Sequence, residues 1–408
     1  MLVQRTEKHI IDRQSKWYNL LFKKCHIAKN IYNHGNYLVR KEFLENGKWL
    51  RYGEVDKLVK SNLEYPDYWE LELSSGSQQI LRRLEDNWKS FFVTIKDWKN
   101  NPSKYKGRPQ LPKYLKKDGV TEFSLTKSNC RLKQDGLIHF SKSLCGFTLQ
   151  PQFIKDSRLV NFNQCRFVPH NQRIIVELIY TIDISEQINE CGAIGSIDLG
   201  LDNFVTFVDN MFNKPIIING KGLKSCNNYF NYRINSVKAE LDRNGNDIGY
   251  SHLLYGLQNK RADKIDCFLH RVSKYIVNHC LSLGITSIVV GHNKYQKQGV
   301  RLKNFAQIPY YSFIQKLKYK CQEEGINFIL SEESYTSGTS FLDNEPPLKE
   351  YYNPKRRVNR GLFRSNDGTL INADVNGAYQ IMRKVFQDVE KPLDIGCVLN
   401  PVRVNLII

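Results

Sequence analysis

Residues 195–208 constrain the fold of this chain more than any other segment does. Two short apolar runs flank a polar turn at residues 200–203, which is the pattern of a β-hairpin, and a third apolar run follows at residues 215–218. Asp198 lies inside the first predicted strand, where a carboxylate is costly unless a partner compensates its charge. Asp198 is therefore either a site residue or an Asp on the edge strand of an ordinary hairpin, and this segment alone does not decide between them.

Two further carboxylates, Asp374 and Glu333, lie at the predicted start of a helix and just after a predicted strand. Asn372 precedes an apolar pattern of helical spacing and is a predicted N-cap, so Asp374 falls in the first helical turn. Glu333 follows the predicted strand at residues 326–330. Converging carboxylates repel one another unless cations separate them, and Mg²⁺ binds such oxygen ligands together with water and phosphate. The later segments thus favour a metal site that includes Asp198.

The charge of the chain indicates a polyanionic partner. The 408 residues, enough for two or three domains, contain 60 Lys and Arg against 41 Asp and Glu, a net charge of +19. Nucleic acid is the expected partner of such a chain. No long apolar segment predicts a membrane span, and residues 1–14 are too polar for a secretory signal, so a cytoplasmic protein is expected. The ten cysteines include no C-x-x-C pair, which favours reduced core thiols over a zinc ribbon.

The pattern of apolar residues divides the chain into a helical part, a β part and a mixed part. Residues 10–45 and 75–97 have helical spacing, and residues 121–184 contain short β patterns that predict a small barrel or sheet, with a first strand from the amino terminus. Beyond residue 191, helices alternate with strands, and the order resembles that of an RNase H-like domain.

Three basic segments are candidates for nucleic-acid contact. Residues 96–119 and 338–370 interleave cations with aromatic residues, which suits phosphate contact and base stacking, and residues 257–281 predict a helix with a row of cations. A solvated linker or helix face would have the same composition. The candidate nucleic-acid-binding residues are Lys104, Tyr105, Lys106, Arg108, Lys113, Lys260, Arg261, Lys264, Arg271, Lys274, Lys355, Arg356, Arg357 and Arg360.

Several segments, in one fixed order, resemble the TnpB (OrfB) proteins of insertion sequences, which are related to type V CRISPR effectors. The segments are SQQILRRL (77–84), WKSFF (88–92), IDLG (197–200), HRVSKYIV (270–277), YTS (335–337) and NADVNGA (372–378). The resemblance implies an α/β multidomain fold: a helical recognition module at residues 11–119, a β-barrel wedge domain at 1–10 and 120–190, and an RNase H-like (RuvC) nuclease domain at 191–408. Residues 338–370 would be a basic inserted segment that binds target nucleic acid.

The same resemblance implies an activity and a site. TnpB proteins are RNA-guided DNA endonucleases, so the implied partners are a guide RNA from the same transposable element and target double-stranded DNA. No protein partner is required by the resemblance. Asp198, Glu333 and Asp374 are the implied catalytic residues and the ligands of two Mg²⁺ ions.

The sequence departs from the family in two places. Many relatives carry a four-Cys zinc ribbon after the YTS segment, whereas no Cys lies between Cys321 and Cys397 here, so no zinc is expected. The residues expected to hold this segment together instead are Phe341, Leu342, Tyr351 and Phe363. The strand at residues 285–290 usually ends in the middle catalytic Glu of the family, but here Gly291 follows it.

Glu333 is the candidate replacement for that missing glutamate. In the RNase H-like sheet that the resemblance implies, the strand before it lies parallel to the strand at 285–290 and outside it, about two strand spacings of roughly 4.8 Å from Asp198. A Glu just past this outer strand can reach inward over a residue as small as Gly291. Glu333 resembles the relocated glutamate of one TnpB branch and of the eukaryotic Fanzor relatives, which read Glu-x-Tyr-Thr-Ser. Glu332 is expected to face away from the site.

Three other functions fit the sequence. A nuclease-inactive RNA-guided DNA-binding repressor would explain Gly291, although Glu333 argues against it. A DNA strand transferase would use similar carboxylates, although the long segment before residue 191 fits that class less well. An RNA-binding protein without a role on DNA would account for the charge alone.

Overall fold

The computed structural model describes residues 1–184, 192–245, 251–293, 308–359 and 361–408. The chain forms two compact units, Met1–Ile184 and Ser185–Ile408, which are called unit 1 and unit 2. The predicted boundary at residues 190 and 191, and the candidate residue Arg360, lie outside the described residues. None of the helices within those ranges is long and apolar enough to cross a membrane.

Among its described residues, unit 1 combines four α-helices with seven strands. The helices are α1 (Tyr18–Asn46), α2 (Tyr52–Ser61), α3 (Asp67–Glu70) and α4 (Ser74–Asn100). The strands are β1 (Leu2–Asp12), β2 (Phe123–Thr126), β3 (Cys130–Leu132), β4 (Ile138–Phe140), β5 (Thr148–Leu149), β6 (Leu159–His170) and β7 (Arg173–Asp183). Helices α2 and α3 lie within residues 47–74, a stretch whose sequence is typical of loops and predicts neither helix.

Helices α1 and α4 pack closely at a glycine of α1. At Gly35 of α1, a Cβ atom would lie 2.8 Å from Cδ2 of Leu81 on α4, so only glycine permits this approach. Trp88 of α4 is fully buried, and its indole N–H donates a hydrogen bond of 3.1 Å to Oδ1 of Asn36. The apolar spacing of both helices therefore predicts their buried faces correctly.

The strands of unit 1 form two open sheets, with the orders β1-β7-β6-β2 and β3-β4-β5. Of the barrel or sheet that the sequence pattern predicted, the sheet is what forms. It differs from the β-barrel implied by the resemblance, because β1 and β2 lie at opposite edges of the larger sheet, separated by the β6–β7 hairpin. Strand β1 pairs with β7 along its whole length, so the amino terminus supplies a strand, as predicted. This strand continues to Asp12, and helix α1 therefore begins at Tyr18 rather than at residue 10. Phe140, Phe147 and Phe167 pack together where the two sheets share a core.

Unit 2 contains a central sheet, a smaller sheet and five described α-helices. The helices are α5 (Lys221–Arg243), α6 (His252–Ser282), α7 (Tyr310–Glu323), α8 (Ala373–Val385) and α9 (Gly396–Leu399). The strands are β8 (Ala193–Leu199), β9 (Asn203–Asp209), β10 (Ile216–Asn219), β11 (Ile285–Gly291), β12 (Asn327–Ser331), β13 (Arg357–Asn359), β14 (Leu362–Arg364), β15 (Leu370–Asn372) and β16 (Val402–Val404).

The central sheet places β8 in its interior. Its order is β12-β11-β8-β9-β10-β16, and β13, β14 and β15 form the smaller sheet. Strand β11 runs parallel to β8, and β12 runs parallel to β11 on its outer side, which confirms the predicted strand order. The carboxyl ends of these three strands therefore lie at one edge. Helices α6 and α7 cover one face of the sheet, and α8 covers the other.

Packing and hydrogen bonds hold the inserted segment, residues 338–370, against α8. Phe341, Leu342 and Phe363 are buried as predicted, but Tyr351 is 45% exposed. The ring of the neighbouring Tyr352 lies against Gly338, where a Cβ would be 2.5 Å away, but Tyr352 is itself 39% exposed. A buried amide on α8 supplies the polar link.

This amide belongs to Asn376, and its replacement should destabilise unit 2. Its Oδ1 accepts a 2.9 Å hydrogen bond from the backbone N–H of Phe341, and its Nδ2 donates one of 2.8 Å to the carbonyl of Thr339. Asn376→Ala leaves both backbone groups buried without these partners, which should lower the free energy of unfolding by roughly 2–3 kcal/mol. Chemical denaturation measures this. The matched control Asn235→Ala, at an exposed position of α5, should change stability by only a few tenths of a kcal/mol; an equal loss in both variants would contradict the assignment.

Candidate active site

Asp198 occupies the penultimate position of β8, inside the central sheet and directly opposite Thr206 of β9. Burial raises the pKa of its carboxyl group well above the ordinary value, and the negative charges of Asp374 and Glu333 raise this pKa further. Helix α8 leaves room for this carboxylate at Gly377, where a Cβ would lie 2.9 Å from Oδ2 of Asp198. A carboxyl group with so strongly raised a pKa, in a pocket beside two other acids, is a candidate functional group.

Asp374 lies in the first turn of α8, as predicted. The side chain of Asn372 caps this helix by accepting hydrogen bonds from the backbone N–H groups of residues 374 and 375. Both carboxylate oxygens of Asp374 have side-chain partners: Asn203 Nδ2 donates to Oδ2 over 2.6 Å, and a guanidinium N–H of Arg357 donates to Oδ1 over 3.3 Å. The orientation of this carboxylate is therefore set by β9 and by the inserted segment.

Glu333 follows β12 and lies over the end of β11. A Cβ at Gly291 would be 2.7 Å from Oε1 of Glu333 and 2.9 Å from its Cγ, so the absence of a side chain there makes room for this glutamate. Burial raises the pKa of Glu333 to about 7, with a further contribution from Glu332. Glu332 itself is exposed and forms a 2.9 Å ion pair with Lys384. The two adjacent glutamates thus differ in environment in the way the sequence predicts.

One pocket of about 630 Å³ is lined by all three of these carboxylates, together with the cations Lys221, Arg357 and Arg403. No three His, Cys, Asp or Glu side chains in the described parts of the chain are arranged so that they could hold a metal ion as they stand. The chemistry of the donors nevertheless fits a hard divalent cation, since all three are carboxylates and their mutual repulsion leaves negative charge to be neutralised. The guanidinium of Arg357 neutralises part of this negative charge through its ion pair with Asp374.

Two family models match the second half of the chain. Residues 180–296 match OrfB_IS605, a probable transposase, and residues 310–381 match the TNB domain of Cas12f1-like proteins. The chain is OrfB-like at residues 180–296 and Cas12f1-like at residues 310–381. The resemblance to OrfB proteins and to type V CRISPR effectors is therefore confirmed for these residues. The segment that matches the TNB domain contains a single cysteine, Cys321.

Similar solved structures include three complexes of CRISPR proteins. A Cas12f1–sgRNA–target DNA complex is 16% identical at a TM-score of 0.36, with 92% of this chain and 98% of that chain covered. A CRISPR–Cas12f ternary complex is 15% identical at a TM-score of 0.39, covering 89% and 80%. CasPhi-2 (Cas12j) bound to crRNA is 9% identical at a TM-score of 0.41, covering 96% and 99%. No curated protein matches the chain.

The candidate nucleic-acid-binding residues of unit 1 lie after α4. Lys104 forms a 2.7 Å ion pair with Asp97, and the hydroxyl of Tyr105 donates to the same carboxylate, which lowers the pKa of Asp97 to about 2. These two residues therefore serve to close the end of α4. Lys106 is exposed, and Arg108 and Lys113 line a cavity beside α1 and α4.

Most of the candidates on α6 lie along one face of the helix. Lys260 and Lys264 are exposed, whereas Arg261 is half-buried and donates a 2.9 Å hydrogen bond to Asn227 of α5. Arg271 donates to the carbonyl of residue 407 over 2.9 Å, and Lys274 pairs with a glutamate after α7 over 3.4 Å. Lys260, Lys264, Arg271 and Lys274 therefore lie along one face of the helix, as predicted, and only Arg261 lies outside this row.

In the inserted segment, two adjacent arginines have different partners. Arg356 is half-buried and forms a 2.6 Å ion pair with Glu345. This ion pair links two parts of the inserted segment. Arg357 points to Asp374 in the pocket, and Lys355 is exposed. The pocket residues Lys221, Arg403 and Asn203 were not singled out from the sequence. Arg403 lies in a strand of three residues that is too short to be detected from its pattern.

Asp198→Asn should stabilise the fold, because it removes the charge whose burial is costly while keeping the shape of the side chain. The folded state holds the proton of Asp198 more tightly than the unfolded chain does. Stability should therefore fall as the pH rises from the ordinary pKa of Asp to the raised one. At neutral pH, without divalent cations, we expect a gain of roughly 1–2 kcal/mol in the free energy of unfolding. Thermal and chemical unfolding measure it.

Glu332→Gln is the matched control, because it neutralises an exposed acid that is already paired with Lys384. It should bring no gain in stability. A loss of stability in Asp198→Asn, or an equal gain in both variants, would contradict the proposed electrostatic strain.

Proposed function

We propose that the chain is an RNA-guided DNA endonuclease of a transposable element, which hydrolyses DNA phosphodiesters at sites matched by its guide. The observation that carries the proposal is the placement of Glu333 over Gly291, in one pocket with Asp198 and Asp374. A chain that had merely lost the middle glutamate of β11 would have no reason to keep a second acidic side chain in that space. The OrfB-like and Cas12f1-like matches support the same class of function.

Asp198, Glu333 and Asp374 would hold two Mg²⁺ ions. These ions, when bound, supply a nucleophilic water at neutral pH and neutralise charge on the scissile phosphate. The chain itself contributes orientation: Asn203 holds one oxygen of Asp374, and the Asn372 cap fixes the helix turn that carries it. Burial of Asp198 keeps its charge poorly solvated, which strengthens its attraction for a cation.

Arg357 would position the substrate in this site. Its guanidinium reaches Asp374 from β13, at a side-chain exposure of 37%, so it is accessible from the pocket. Guanidinium groups bind phosphate oxygens in two-point contacts, and the arginine can exchange the carboxylate for a phosphate as charge in the site changes. Lys221 and Arg403, which line the same pocket, would add to the attraction for a DNA backbone.

The proposed partners, a guide RNA and target DNA, follow from the net charge of the chain and from the proposed class of nuclease. The net charge of +19 suits a chain that binds both a guide RNA and target DNA. We assign the helical recognition module to residues 11–119, the wedge domain to 1–10 and 120–190, and the nuclease domain to 191–408. In this assignment the zinc ribbon of other relatives is replaced by the packed insert at residues 338–370, and the protein works in the cytoplasm, on the nucleoid of a prokaryote.

Two other functions remain as defined outcomes of the tests. A nuclease-inactive repressor would bind the guide-matched DNA without cutting it. The name of the OrfB_IS605 family, a probable transposase, favours strand transfer as a second candidate. Hydrolysis leaves free ends on both cut strands, whereas a transferase joins an end to a second DNA, so sequencing of the products distinguishes them.

Replacement of any of the three carboxylates should abolish cleavage. The protein is purified with its bound RNA, the RNA is sequenced, and a DNA duplex that matches it is supplied with Mg²⁺. Asp198→Ala, Glu333→Ala and Asp374→Ala should each lower the cleavage rate by about 100-fold or more, since each removes several kcal/mol of charge stabilisation. Binding of RNA and DNA, measured by gel shift, should persist.

Glu332→Ala is the matched control and should cut at nearly the wild-type rate. If Glu333→Ala cuts as fast as the wild type, the relocated glutamate is wrong. If the unmodified protein binds the matched DNA but never cuts it, the repressor takes the place of the nuclease.

A further inference from the structure

A groove in unit 1 lies outside everything that the cleavage site uses. It has a volume of about 780 Å³ and is bounded by the carboxyl-terminal halves of α1 and α4 and by the extended chain at residues 108–113. This volume is typical of pockets that bind small molecules. Its floor consists of apolar side chains, among them Phe43, Phe91 and Phe92.

The floor of the groove is rigid. Phe91 lies edge-on to the buried Trp88 at 6.0 Å between ring centroids, and Phe92 contacts both Phe43 and Trp49, at 5.6 and 4.8 Å. These aromatic rings hold one another in place, so the groove is preformed rather than dependent on a ligand for its shape.

The outer wall is fastened to α1 by side chains. Asn36 and Arg40 both donate hydrogen bonds to the carbonyl of Pro112, over 3.0 and 2.9 Å. The guanidinium of Arg40 also lies over the ring of Tyr114, 5.1 Å from its centroid. An extended chain that is attached in this way is a built wall of the groove.

The rim of the groove is cationic. Arg40, Lys99, Arg108 and Lys113 line it, and none of the described residues that line it is acidic. Lys99, Arg108 and Lys113 form no ion pair with any carboxylate in the described part of the chain. This contrasts with Lys104, only a few residues away, whose charge is taken up by Asp97.

We propose that this groove binds an unpaired nucleotide of a single-stranded nucleic acid, with the base against the aromatic floor and the phosphates on the cationic rim. Aromatic faces stack with any base, and free cations follow the backbone. A paired base could not enter, because its faces are covered by its neighbours in the duplex. An apolar protein segment would fill the floor, but it would leave the cationic rim without partners.

The inference deepens the proposed function and rests only on its nucleic-acid-binding part. The probe is a fluorescent oligothymidylate of about 12 nucleotides, compared with an abasic oligomer of the same length that keeps the phosphates and lacks the bases. Fluorescence anisotropy with the full-length protein, freed of copurified nucleic acid, should show the oligothymidylate binding about tenfold more tightly, as expected for a stacked base. Phe91→Leu, which keeps the floor apolar but removes the aromatic face, should abolish most of this difference.

A second pair of variants does not depend on the packing of Phe91. Leu44 lies at the edge of the groove and Val93 lies outside it, and both are exposed, by 66% and 70%. Leu44→Glu should weaken binding of the oligothymidylate several-fold more than Val93→Glu, although each adds one negative charge to unit 1.

Equal affinity of the unmodified protein for the two oligomers would overturn the inference, as would equal effects of the two glutamate variants. The protein could also form a dimer that is dissociated by Leu44→Glu but not by Val93→Glu. That result would assign the groove to a second copy of the chain and would likewise overturn the inference. Loss of DNA cleavage with base-dependent binding intact would defeat the proposed nuclease alone.

Discussion

The half-buried carboxylate of Asp198, in the interior of the central sheet, is the feature on which the candidate site of unit 2 depends. It lies in an interior strand, and its charge is opposed by burial and by two neighbouring acids. Such an arrangement is unfavourable for folding alone, and proteins keep strained electrostatics of this kind where function requires it. The surrounding residues reduce this electrostatic cost. Asn203 and Arg357 donate hydrogen bonds to the carboxylate of Asp374, and glycines leave space for the side chains of Asp198 and Glu333.

The two glycines show how the backbone supports the site. Gly377 on α8 makes room for Asp198, and Gly291 at the end of β11 makes room for Glu333. Gly291, which has no side chain, thus leaves the space that the carboxylate of Glu333 occupies from beyond the adjacent strand β12. Under the proposed function, a glutamate after β12 would take the place of one at the end of β11 in the same pocket, since the carboxyl ends of these strands lie at one edge of the sheet. The inserted segment completes the pocket with Arg357 and is held by hydrogen bonds and aromatic packing.

Periodicity in the sequence predicts the long elements well, because their burial follows directly from the spacing of apolar residues. Helices α1, α4, α5, α6 and α7 follow from it, whereas the strand order around β8 follows only from the resemblance to RNase H-like domains. Short elements such as α3 and β16 do not, since a few residues carry too little pattern. Ion pairs between residues that are distant in sequence also cannot be predicted from periodicity. Nothing in the sequence indicates that Arg356 pairs with Glu345 while Arg357 contacts Asp374. The same limit concealed the role of Asp97 in engaging Lys104 and Tyr105.

The most direct test of the account is whether Glu333 binds a divalent cation together with Asp198 and Asp374. Titration of the protein with Mn²⁺, followed by electron paramagnetic resonance of the free ion, measures this without any substrate. The account predicts that Glu333→Gln weakens Mn²⁺ binding by about tenfold or more, while Glu332→Gln leaves it unchanged. Equal Mn²⁺ affinity in the wild type and in Glu333→Gln would contradict it, because the glutamate over Gly291 would then be no part of the metal site.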